Sequence, residues 1–196
     1  MKRLLFTVLL IVGFTSAQAQ TPVSYSEVVQ VEGVSKEDLY QRAREWFTDT
    51  FRSSNDVIQL DDKENGQIVG KAIFTYRQLF GEVLGIDCLI NFKISVFCKE
   101  GRYKYDLTDF SHSCKWIELG TNGKWTFLDF KPISLGIITN EPPQYIGYTK
   151  NIEIAKENTQ KVYNCAVEQI DEHTEGFIAS LKKAMDSPTV VQSEDW

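Results

Sequence analysis

The chain has 196 residues, 42% of them hydrophobic and 24% charged, with 21 Lys and Arg against 27 Asp and Glu. That is the balance of a globular chain with one sizeable core, and it excludes a disordered or fibrous protein. The length argues for one domain rather than several.

The first residues read as an export signal. Met1-Lys2-Arg3 is a short basic start, Leu4 to Phe14 an apolar run, and Ala17-Gln18-Ala19 an A-x-A cleavage site. The apolar run falls short of the roughly 20 residues that a membrane-spanning helix needs. A signal peptide over residues 1–19, cut after Ala19, is therefore predicted. No Cys stands at the cut, so no lipid anchor and no stable membrane anchor is expected. Its removal takes away Lys2 and Arg3 and no acid, which moves the formal charge from −6 to about −8. The expected location is outside the cytoplasm, periplasmic or secreted.

Tyr25 to Glu32 predicts a strand ended by Gly33. Ser35 then offers an N-cap with Asp38 three residues on, and Leu39, Ala43, Trp46, Phe47 and Phe51 recur at helical spacing to about Ser53. Val57 to Leu60 reads as a short strand, and Asn65-Gly66 closes a hairpin turn into Gln67–Tyr76, a strand expected to break at Gly70. The strongest signal follows. From Ile86 to Cys98, apolar residues alternate with others over the whole run, the pattern of a long half-buried strand that must bend or bulge. Glu100-Gly101 turns it into a partner strand over Arg102–His112. Residues 114–150 are irregular and aromatic. From Asn151 to Met185 apolar residues recur at i+3 and i+4, a long helix that either overhangs the sheet or breaks at Gly176. It stops before Pro188, leaving residues 187–196 as an acidic tail.

One α+β domain satisfies this order: an antiparallel sheet with two helices on one face and a long C-terminal helix. Its parts are the core at 20–113, the aromatic closing segment at 114–150 and the helix at 151–186. The β-α-β4-α order is that of the TBP-like fold. The run Val29-Gln30-Val31-Glu32-Gly33-Val34-Ser35-Lys36-Glu37-Asp38-Leu39-Tyr40, with Arg42-Ala43, Trp46-Phe47, Val57-Ile58-Gln59 and Gly66 to Lys71, resembles a family of exported Bacteroides-type proteins of unknown function with that fold. The resemblance spans about Val28 to His112. It implies fold and compartment, and it brings no catalytic residues.

Chemistry is sparse. Cys88, Cys98, Cys114 and Cys165 allow three disulfide pairings in an oxidising compartment. The hairpin register puts Cys88 opposite Ser113, so a Cys88–Cys114 bridge needs a bulge or a one-residue shift. A core of this size favours buried free thiols instead. His112 and Cys114 share one strand face, the minimum for a thiol nucleophile, with Asp109 as a conceivable orienting group. No oxyanion device or family signature surrounds them. His112 and His173 are too far apart in sequence for a helical metal motif. Asp61 to Gly66 lacks the acid spacing of a calcium loop, and Glu168, Asp171, Glu172 and Glu175 read as a solvated helix face. No catalytic, metal or cofactor residue is therefore assigned, and no cofactor is expected.

Fold does not imply function, and a net charge near −8 opposes the DNA binding for which the TBP saddle is known. No nucleic acid partner is expected. The expectation is a non-enzymatic exported domain that binds an envelope protein, a peptide or a glycan. Its binding surface is expected at the uncovered sheet face or at Trp116, Trp125, Phe127, Tyr145 and Tyr148 of the aromatic segment. The alternative is a helix-grip carrier, in which the long helix closes a curved sheet over an apolar ligand.

Overall fold

The structure, a computed structural model, describes residues 20–51, 53–80, 84–114, 134–143 and 151–187. The predicted signal peptide, the segment from 115 to 133 and the tail from 188 lie outside the described residues. The elements in chain order are β1 (Tyr25–Gln30), α1 (Lys36–Thr50), the single turn α2 (Ser54–Val57), β2 (Ile58–Asp62) and β3 (Gln67–Phe80). There follow β4 (Leu84–Lys99), β5 (Arg102–Cys114), the two-residue β6 (Gly136–Ile137) and α3 (Ile152–Asp186). The sheet runs β1-β5-β4-β3-β2, antiparallel throughout, with β6 beside β5.

Alternation sets which side of the sheet is core. Ile86, Cys88, Ile90, Phe92, Ile94, Val96 and Cys98 of β4 are all buried on the face that carries α1 and α3. The Ser35 hydroxyl accepts the Asp38 N–H at 3.1 Å, so the predicted cap starts α1 where expected. Leu39, Ala43, Trp46 and Phe47 form its inner stripe. The two helices are tied to each other: the Trp46 indole donates to Ser180 Oγ at 3.0 Å, and Phe51 stacks on Phe177. Arg42, itself buried, donates to the Met185 carbonyl at 2.6 Å, a cation placed on the negative C-terminal end of α3.

One local expectation changes and two are resolved. Gly70 does not break β3. The strand runs straight through it, and a Cβ there would lie 2.7 Å from Phe47 Cε1, so the glycine makes room for a core ring. Gly176 does not break α3 either. It is exposed with nothing within 4 Å, and Thr174, Phe177, Ile178 and Leu181 around it hold the helix to the core. A single glycine costs only about 1 kcal/mol of helix propensity, so α3 continues for 35 residues. In its first turn Ile152 is 51% exposed while Ala155 is buried. Finally, a bulge interrupts the β4–β5 ladder between Asn91 and Lys93, with Asp109 in the left-handed region at φ 59°. Inward positions on β5 are odd before it (Tyr103, Tyr105, Leu107) and even after it (Phe110, His112).

Candidate functional site

That bulge decides the cysteine chemistry. It shifts the register by one, so Cys88 faces Cys114 rather than Ser113, and the two form a disulfide. The expectation of four free thiols is thus corrected for this pair. Cys98 stays free and buried, and burial pushes its thiol up to about 12; Cys165 is free and half-buried.

His112 sits beside the disulfide. Its Nδ1 accepts the Leu135 backbone N–H at 3.2 Å, so the neutral ring carries its proton on Nε2. Nε2 lies 2.9 Å from the Tyr76 hydroxyl and 3.4 Å from Cys114 Sγ. Burial lowers the imidazole to about 4. The predicted proximity of His112 and Cys114 is therefore real, but Cys114 is half of a disulfide and offers no thiolate. Asp109 is exposed at the bulge, and a backbone N–H occupies the nitrogen that an orienting carboxylate would use. Ligand atoms of Cys88, His112 and Cys114 do lie within 4.8 Å of one another. The donor set does not suit a metal, however. Both sulfurs are oxidised, and coordination through Nε2 would move the ring proton to Nδ1, against the Leu135 N–H.

The remaining candidates resolve into structure. His173 stacks on Phe74 with centroids 4.0 Å apart, and its Nδ1 donates to the Gln169 carbonyl at 2.9 Å. Asp62 caps the β2–β3 turn by accepting the Asn65 N–H at 3.0 Å. Glu168, Asp171, Glu172 and Glu175 are exposed on α3, with Asp171 accepting the Tyr25 hydroxyl. Between α3 and the sheet, Phe92 stacks on Phe110 at 5.6 Å and meets Phe177 at 5.4 Å. That layer is packed as core. Trp116, Trp125, Phe127, Tyr145 and Tyr148 lie outside the described residues.

The other candidate surface is the sheet face opposite the helices, which the sequence predicts without singling out any residue on it. Val28, Leu60 and Ile73 are 53%, 43% and 62% exposed there. Among them stand cations in directly opposed cross-strand pairs: Lys71 faces Lys93, and Lys99 faces Arg102. Among the described residues no carboxylate pairs with any of these four. Lys104 is paired, with Asp106 at 2.9 Å, and Asp106 also accepts the Ser26 hydroxyl at 2.5 Å. An open groove of about 390 Å³ runs over this corner, lined by Val28, Phe97, Lys99, Arg102, Tyr103, Lys104 and Asp106. A second open concavity of about 460 Å³ lies between Phe51, Val57, Ile73 and Phe177. Like charges directly opposite on a sheet are destabilising. The signal was present in the strand alternation, since every one of these cations occupies an outward position.

Residues 25–113 match a family described as a domain of unknown function (DUF4468) with TBP-like fold. Two solved structures are similar. A DUF4468 family protein from Bacteroides ovatus is 16% identical, with 86% of this chain and 89% of that chain covered and a TM-score of 0.48. A TBP-like protein from Parabacteroides distasonis is 14% identical, with 82% and 93% covered and a TM-score of 0.48. No curated protein sequence matches the chain.

Proposed function

We propose, from the match of residues 25–113 to the DUF4468 family with TBP-like fold, that the protein is a non-enzymatic binding module. Its working surface is the sheet face opposite the helices, and its partner is a polypeptide. The observation that carries the reading is the pairing of exposed apolar side chains, Val28, Leu60 and Ile73, with an open groove on that one face. A polypeptide suits it because a groove accepts a protruding side chain, while rim cations and Asp106 supply polar partners that fix register. Chemistry at the disulfide corner is not part of the reading, since the sulfur beside His112 is bonded. The reading includes export, on the strength of the basic start, apolar run and A-x-A site in residues 1–19.

Site-specific photocrosslinking tests it. A crosslinking residue at Val28 or Ile73 is expected to capture a polypeptide in the cell envelope, whereas one at exposed Glu172 on α3 is not. Equal capture from both faces, or none from the open face, refutes the assignment. N-terminal sequencing of the mature protein checks the cut after Ala19.

A further inference from the structure

We propose that the open sheet face selects an acidic polypeptide segment, held at two cationic stations with an apolar side chain between or beside them. The inference rests on the open-face reading above and adds the chemistry of the partner. One station is Lys71 with Lys93, the other Lys99 with Arg102. Lys93 and Lys99 are six residues apart on β4, which is about 20 Å along an extended strand. An extended partner therefore meets both stations with carboxylates about six residues apart. Each opposed pair converges two positive charges at neighbouring strand spacing, which suits one carboxylate accepting from both sides. The chain's net charge of −6 hides this, because it sums over the whole chain and includes Glu168, Asp171, Glu172 and Glu175, exposed on α3.

The features between the stations choose the class of partner. Asp106 lies on β5 in the same face, opposite Ser95 of β4, between the two stations. A nucleic acid carries phosphate at every step and would set negative charge against Asp106. A polypeptide can place a hydroxyl or amide there instead. Val28 and Phe97 in the groove, and Ile73 beyond Lys71, present apolar surface that suits apolar side chains alternating with acids. Charge complementarity with interleaved apolar contact is the recognition pattern of an acidic, alternating segment.

The test is fluorescence anisotropy with the full mature chain and a labelled peptide of alternating glutamate and phenylalanine. Controls replace every glutamate by glutamine or by lysine, and a single-stranded oligothymidylate is run in parallel. The glutamate peptide is expected to bind and to weaken with added salt, and the lysine peptide not to bind. K71Q/K93Q and K99Q/R102Q are each expected to weaken binding about tenfold, with circular dichroism unchanged. Equal binding of the glutamine peptide, lost in Phe97→Asp, overturns the acidic partner and leaves the open-face reading standing. Binding of the glutamate peptide that survives Phe97→Asp and both cation variants overturns both. Tighter binding of the oligothymidylate, or no binding of the glutamate peptide at low salt, overturns the inference.

Discussion

Lys71 and Lys93 stand directly opposite each other across β3 and β4, on the side of the sheet opposite α1 and α3. Two ammonium groups in that position repel, and the fold would be more stable without one of them. Replacing Lys93 by Gln is expected to raise stability by about 0.2–1 kcal/mol in denaturant unfolding. The same variant is expected to weaken the open face's affinity for an acidic segment. A variant that loses stability as well as binding would show that Lys93 has a structural role instead.

The Cys88–Cys114 disulfide closes a loop of sequence separation 26 at the far end of the β4–β5 hairpin. Loop-closure entropy for such a span is worth about 3.5 kcal/mol. The double variant C88A/C114A is expected to unfold at correspondingly lower denaturant while keeping its far-ultraviolet spectrum. An unchanged midpoint would mean that the pair contributes no constraint.

Thiol reactivity separates the two free cysteines. Cys98 is buried with its thiol pushed up to about 12, whereas Cys165 is half-buried with its thiol raised by burial and by Glu168. The native protein is expected to take one alkyl group, slowly, at Cys165. Unfolded without reductant, it should take two, read by mass spectrometry. Four would contradict the disulfide.

His112 links stability to pH. Burial lowers its folded-state value from 6.5 to about 4, so between those limits the unfolded chain binds a proton that the folded chain does not. The contribution is fully present above 6.5 and is lost as pH falls towards 4, by about 3 kcal/mol in all. His112→Gln retains an acceptor for Leu135 and a donor for Tyr76. Its stability is expected to fall less steeply than that of the wild type over this interval. Parallel curves would refute the assignment.

The two glycines singled out by the sequence should respond in opposite directions. Gly70→Ala forces a Cβ to 2.7 Å from Phe47 and is expected to cost about 1–3 kcal/mol. Gly176→Ala meets nothing within 4 Å on an exposed helical site and is expected to add about 0.5–1 kcal/mol. Thermal unfolding of both variants reads the difference.

Local rules carried much of the fold. The Ser35 cap, the Asn65-Gly66 and Glu100-Gly101 turns and the period of two through β4 each depend on neighbours a few residues apart, so the chain order and the inward face could be read directly. The composition and charge were equally plain. Tertiary structure decided whatever depends on distant partners. Whether Gly70 breaks a strand depends on Phe47, whether Gly176 breaks a helix depends on the packing around it, and whether Cys88 meets Cys114 depends on one extra residue at Asp109. The candidate surface belongs to that second kind. Net charge is a sum over the chain, but binding responds to charge at a place. Only the pairing of β3 with β4, and of β4 with β5, brings Lys71 to Lys93 and Lys99 to Arg102 on one sheet face of an acidic protein, a face that carries no helix among the described residues.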